Sequence, residues 1–442
     1  MSGLDEVEAK DGGRIAAPAG GAGYALLYPP LEDIARRNRV AFVLLFAMVP
    51  LAGSALSVTM ILLASWALIS LVLRRFPLSF GRYGGPIVLS SLAFFAVLSA
   101  IDLALNPARD AVWNVLALLP YVMPLFLVPR MRVTAPADIM PAVFLGAGIG
   151  GTLLGPVVLA ELLSGAPRVQ ALSGNPGPLS IVALLTAGLA LLGIGERALS
   201  PRTLLAVAGA AGASFAVVLT GMRGAWPALP LVLLVAAYRR RRVLVSLLGG
   251  LSSRRRIALA LGLAALLAAV VTLALPPVFG RIALFRSEFE LLMADNQVST
   301  SLSLRWTMYE ASIRAFLAAP LLGYGMSGLW TGVAPFLEPG VFTGFSFSHL
   351  HNIVLTVAVA GGLAGLLALF ALLCAPLVVA LYGRRRPGGA DRLAFALILL
   401  IAFVLPGLSN IMLFHDILDT VFVLSIATLA AAFPAGARTG TP

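Results

Sequence analysis

The chain has 442 residues, 60% of them hydrophobic and only 11% charged, with a mean hydropathy of +0.98 and a net charge of +12. A soluble domain carries roughly a quarter charged residues, so a water-soluble globule is excluded and a lipid bilayer is the expected solvent. The basic excess does not point to nucleic acid, because the arginine runs sit at the ends of apolar segments, where membrane topology needs them.

Residues 1–39 are Gly/Ala-rich and polar, with no apolar h-region, and read as a loose cytoplasmic tail before an uncleaved signal anchor. Apolar runs of about 20 residues then recur, each long enough to cross the hydrocarbon as a helix. The expected spans are Val40–Leu51, Leu56–Leu73, Pro86–Leu105, Val112–Val128, Ile139–Leu163, Leu179–Ile194, Thr203–Leu219, Ala225–Tyr238, Ile257–Leu275, Asn352–Tyr382, Leu393–Leu408 and Ile411–Phe433. Barrel strands are excluded, since they would be about 10 residues with alternating polarity. Pro50-Leu-Ala-Gly53 separates the first two spans, and Pro141, Pro227 and Pro376 predict kinks. Cys374, the single cysteine, allows no internal disulfide and reads as a packing residue.

The predicted fold is therefore all-α, a polytopic membrane helix bundle of about twelve transmembrane helices. It divides into an N-terminal tail (1–39), a first bundle segment (40–277), a long outside loop containing short helices (278–351), a last bundle segment (352–433) and a cytoplasmic C-terminal tail (434–442). With the N-terminus inside, every cytoplasmic segment collects basic residues, including Arg239–Arg242, Arg254–Arg256 and Arg384–Arg386. The two runs 239–242 and 254–256 would also attract anionic lipid, although anchoring of topology explains them more simply. The outside keeps Arg109, Arg168, Arg223, Arg281, Arg286, Arg305 and Arg314, together with all three histidines. Topology does not require these arginines.

Within the long loop, Ala283–Met293 has the pattern of an amphipathic surface helix. Asp295–Ser303 reads as a polar link. Ser303–Ala318 reads as a helix capped by Ser303, with Glu310 and Arg314 as an i,i+4 pair. Arg305, Tyr309 and Ser312 share one of its faces. Pro320 and the Gly323-Tyr-Gly325 turn end it. Arg281 and Arg286 are expected to touch lipid headgroups.

Three residues stand out chemically. Arg223 lies between two glycines in Leu219-Thr-Gly-Met-Arg223-Gly-Ala-Trp226, where backbone can approach a ligand or a neighbouring helix. Its planar guanidinium, like that of Arg305, suits phosphate oxygens. His351 precedes a membrane helix whose positive end favours the neutral imidazole and attracts anions. An extended backbone would point His349 elsewhere. His415-Asp416 lies in the last outside loop, where it could support the site from behind, although a pair with no part in it is the simpler reading. No HExxH, carboxylate cluster, P-loop or dinucleotide fingerprint occurs, so no metal or cofactor is expected.

The run Ser303-Leu-Arg305-Trp306, Pro320-Leu-Leu-Gly323-Tyr-Gly325, His351-Asn352-Ile-Val-Leu355 and Gly361-Gly362-Leu-Ala-Gly365 resembles the O-antigen ligase/polymerase superfamily of bacterial envelope glycosyltransferases. Ser173-Gly-Asn175-Pro176 and the Arg223 segment look like its upstream motifs, with Met222 departing from the small polar residue common there. The resemblance implies an inner-membrane enzyme with a periplasmic site. It would transfer a glycan from undecaprenyl diphosphate to a saccharide or glycolipid acceptor such as lipid A–core, without metal or nucleotide. Arg223 and Arg305 would hold the diphosphate, and His351 would activate or orient the acceptor. Asn175, His349, Tyr309, Arg314 and Asn352 are the expected substrate-binding residues around them. The alternative within the family is a repeat-unit polymerase for O-antigen or exopolysaccharide. A flippase fits less well, because transporters place ionisable groups near mid-membrane.

Overall fold

The computed structural model describes residues 29–166, 168–197, 200–249, 252–254, 272, 278–294, 300–337 and 347–434. Apart from residue 272 the expected span Ile257–Leu275 lies outside the described residues, as do 1–28 and 435–442 of the tails and 295–299 of the Asp295–Ser303 link; the expected loose N-terminal tail ends earlier than residue 39, because a helix already begins at Leu31. All regular structure among the described residues is helical. In chain order the α-helices are α1 (Leu31–Met48), α2 (Ser54–Val72), α3 (Gly81–Leu105), α4 (Arg109–Ala117), α5 (Pro124–Met131), α6 (Pro136–Leu163), α7 (Pro176–Leu191), α8 (Pro201–Leu219) and α9 (Ala228–Gly249). After them come α10 (278–293), α11 (Ser301–Ala318), α12 (Leu329–Val333), α13 (Ile353–Tyr382), α14 (Gly389–Gly407) and α15 (Asp416–Ala431).

Six of these, α2, α3, α6, α8, α13 and α14, are long and apolar enough to cross a membrane. Two shorter helices, α7 and α15, are buried on every side, which explains why their sequences carry no polar face. The sequence expectation fails in detail at Val112–Val128. Pro120 and Pro124 split it into α4, a 3-10 turn over Leu119–Val122, and α5. Ile411–Phe433 is likewise shorter than expected, since 408–415 is irregular and the helix begins at Asp416.

Small residues set the closest helix contact. α6 packs on α8 through Gly148 and Gly151 against Gly209 and Gly212, where a Cβ on Gly151 would collide with the Gly209 carbonyl. This is small-residue packing, which lets backbones approach in lipid.

α13 is broken at Gly362 (φ 57°, ψ −152°), not at Pro376. The segment after α11 fills the break. Tyr324 N–H donates to the Val359 carbonyl (2.9 Å) and Gly325 N–H to Ala360 (2.8 Å). In return Leu363 N–H donates to Pro320 (2.8 Å) and Ala364 N–H to Leu321 (3.2 Å). Backbone groups freed by the break are thus satisfied by residues 320–325, as a low-dielectric interior demands. Buried Asp102 fixes the same segment from α3 by accepting from Ser327 N–H (2.8 Å), Asn106 and Asn114.

Several polar contacts between distant segments join residues that the basic pattern groups together. One group joins Arg39 to Asp138, Arg132 to the Phe433 carbonyl, and Arg239 and Arg240 to Asp391. The other joins Arg223 to Glu288, Tyr309 to residue 351 and Asn352 to Leu408.

Candidate functional site

The Arg223 loop begins where α8 ends. Gly221 reverses the chain in the left-handed region (φ 63°), and residues 223–225 form a 3-10 turn. Gly224 lets that turn lie against Ser409, whose Oγ a Cβ at 224 would strike. Both glycines beside the arginine therefore serve close approach.

α10 lies over this loop through residues spaced at i, i+4 and i+7, one helical face. Arg281 sits above Gly221, the Phe285 ring lies 5.1 Å under the Arg223 guanidinium, and Glu288 accepts from Arg223 Nη2 at 3.0 Å. Glu288 is 6% exposed. Its burial and its ion pair were invisible in the sequence, where it is one of two glutamates in an amphipathic stretch. Arg286, by contrast, pairs with Glu290 on the exposed side.

α11 delivers Arg305. Thr300, not Ser303, caps it; Ser303 closes a capping box from the third helical position. Glu310 accepts from Trp306 Nε1 (2.8 Å) and forms no ion pair with Arg314, which is exposed. Ser312 shares that face but is fully buried one turn further on, bonded to the Met308 carbonyl, and does not line the cavity. Arg223, Arg305 and Tyr309 line one cavity of about 490 Å³, walled by Trp226, Phe285 and Trp306 among others. Arg314 does not line it.

His351 stands next to that cavity. Leu350 is fully buried in a small core with Met308, Ala311 and Val359. Its N–H donates to Thr356 Oγ1 (3.0 Å). His351 follows in the left-handed region at φ 52°, uncommon for a residue with a side chain. Tyr309 Oη donates to the His351 carbonyl (2.9 Å), so the cavity residue holds the strained one. The bend corrects the expectation for His349: the two rings meet edge to face, centroids 4.5 Å apart. Burial pushes the His351 imidazole down to about 4, with His349 and then Arg305 adding to the effect and Asn410 opposing it. His349 is lowered by burial, then by His415 and Arg305. His415 therefore belongs to this neighbourhood, the less simple of the two readings its loop position allowed.

The asparagines have structural duties. Asn352 Oδ1 caps α13, accepting from Val354 and Leu355, and its Nδ2 donates to the Leu408 carbonyl. The helix end expected to attract an anion is thus already satisfied from within. Asn175 Oδ1 caps α7 through Gly177 N–H (2.8 Å). A Cβ on Gly177 would meet Asn410 Nδ2 at 2.5 Å, so this cap sits against the residue that contacts His351.

Arg168 completes the electrostatics. Its Nε donates to the Thr220 carbonyl and its Nη2 to Met222 Sδ, each at 2.8 Å, so the departing Met222 still receives a bond. Burial lowers Arg168, and the charges of Arg281, Arg223 and Arg305 lower it further. Four guanidiniums gather here. Among the described residues, Glu288 is the only carboxylate in ion-pair contact with any of them. Arg223 Nη1, Trp226 Nε1 and His351 Nδ1 are buried without a protein hydrogen-bond partner. Such groups are costly to leave unpaired, and an anion would satisfy the two donors.

Residues 207–370 match the family model described as O-antigen ligase. The match covers somewhat over a third of the chain and supports a likeness to the O-antigen ligase/polymerase superfamily. It carries Arg223, Arg305, His351 and the broken α13, while Asn175 lies outside the match. No curated protein matches the chain. This match and the six helices long and apolar enough to cross a membrane support a membrane protein related to the O-antigen ligases.

Proposed function

We propose that the protein transfers a glycan from undecaprenyl diphosphate to an acceptor sugar hydroxyl, as an O-antigen ligase does, at the periplasmic face of an inner membrane. The observation that carries this reading is the shared cavity. Arg223 and Arg305 line it, aromatic side chains wall it, and a neutral histidine stands beside it in strained backbone. The guanidiniums grip diphosphate oxygens, and Trp226, Phe285 and Trp306 offer an apolar wall to the prenyl chain. The acceptor oxygen bonds the anomeric carbon as the bond from that carbon to the diphosphate oxygen breaks. The bonding pair leaves on the diphosphate, where the arginines stabilise it. The hydroxyl proton goes to His351.

With its imidazole near 4, His351 is neutral at pH 7 but a weak base. An anion bound alongside favours the protonated form and raises that value. The base therefore strengthens when the donor is in place.

The test is transfer in liposomes containing the purified protein, a polyprenyl-diphosphate glycan and lipid A–core. Arg305→Ala is expected to lower the rate by about 10²–10³ with the fold retained; a folded variant with unchanged rate rejects the assignment. Glycan on lipid A–core marks a ligase. Lengthened lipid-linked glycan marks a polymerase.

A further inference from the structure

The end of the bundle remote from the arginine cavity carries a second recess. It lies between the C-terminal half of α9 and the first turns of α14 and has a volume of about 730 Å³. Leu234, Val235, Leu393, Ala394 and Leu397 form its apolar lining, and Arg239, Arg241 and Arg242 stand at its mouth. The pattern follows from helix geometry. Leu234, Tyr238, Arg241 and Arg242 recur at i, i+4, i+7 and i+8, so one face of α9 runs from apolar through aromatic to cationic.

The charges at the mouth are unequal in their commitments. Arg239 and Arg240 converge on Asp391, at 2.8 and 3.3 Å, and neutralise it. Arg241 lies over the Tyr238 ring at 4.1 Å and donates to the Tyr238 carbonyl at 2.9 Å. Among the described residues neither Arg241 nor Arg242 has a carboxylate partner, and both are exposed. Two exposed cations thus border an apolar slot, and exposed Tyr238 marks the polar–apolar boundary, where aromatic rings favour the membrane interface.

An arginine run that only sets topology needs no slot, and a free phosphate needs no apolar lining. We propose that this recess seats an anionic phospholipid, with its phosphodiester at Arg241 and Arg242 and an acyl chain along Leu234 and Leu397. The site stands apart from the glycan-transfer reading and does not rest on it.

The experiment uses the full-length protein in detergent, with native mass spectrometry and thermal unfolding after addition of dioleoyl phosphatidylglycerol or dioleoyl phosphatidylcholine. Phosphatidylglycerol is expected to be retained about tenfold or more over phosphatidylcholine and to raise Tm. The R241Q/R242Q variant should lose that preference. R384Q/R385Q removes equal charge from a separate recess of about 530 Å³ beside exposed Tyr382 and should keep the preference. Ala390→Trp, at an exposed position lining the recess, fills the slot without changing charge and should abolish retention. Equal loss in both double variants, or undiminished binding by Ala390→Trp, overturns the proposal in favour of diffuse surface charge.

Discussion

At the scale of single residues, Arg223, Tyr309 and His351 carry the sharpest expectations. Arg223 touches Glu288 through one nitrogen and leaves its other terminal nitrogen unpartnered. A bidentate grip on phosphate needs the planar fork, so Arg223→Lys should transfer glycan almost as poorly as Arg223→Ala. A lysine variant with full activity would reduce this residue to a point charge. Glu288→Gln keeps a hydrogen-bond acceptor but removes the competing negative charge, so the KM for the lipid-linked donor should fall severalfold; a raised KM would contradict that role. Tyr309→Phe deletes the bond to the His351 carbonyl, which is worth about 1 kcal/mol. It should lower kcat more than it changes the donor KM. The two arginines and the histidine were legible because their residue types and their placement outside the basic cytoplasmic segments set them apart. Glu288 and Asn410 were not, since only tertiary packing brings them to the site, and Arg168 was set apart by its placement but by no motif.

At the scale of elements, long apolar helices were readable from hydropathy because each is decided by local composition. Helix breaks were less so. Averaging over a window hides Pro120 and Pro124, and Gly362 reads as one small residue among many in a uniformly apolar run. Its φ and ψ fall where only glycine is comfortable, and a Cβ there would collide with the Leu321 carbonyl. Gly362→Ala should therefore prevent normal folding, seen as loss of a monodisperse peak in size-exclusion chromatography. Gly361→Ala is the control. Its Cβ would meet only the end of the Leu98 side chain, so a milder loss of Tm is expected. Equal tolerance of both changes would mean that the break is not required.

At the scale of the whole molecule, the division of basic residues groups the segments into two sets, and long-range ion pairs such as Arg39–Asp138 and Arg223–Glu288 each join members of one set. Spans such as Val112–Val128 show where composition stops being sufficient. Acid sensitivity belongs at this scale too. His349, His351 and His415 are all held below the ordinary histidine value, burial being the first cause in each. The unfolded chain binds protons near 6.5 that folded His351 refuses until about 4. The folded state therefore binds fewer protons, and its stability is full above pH 6.5 and declines as pH falls towards 4. Tm should drop across that window, and His351→Gln should make the drop shallower. A pH-independent Tm there would contradict the burial of these imidazoles.

The exchange of main-chain bonds at the α13 break also bears on how this protein can vary. The helix with Arg305 and the helix preceded by His351 are stitched by bonds that almost any residue could supply. Mutational drift in the surrounding apolar side chains can accumulate without moving one group relative to the other. Gly323, whose Cβ would strike the Val359 carbonyl, and Gly362 have no such latitude. Two positions without any side chain thus safeguard the register of the chemistry.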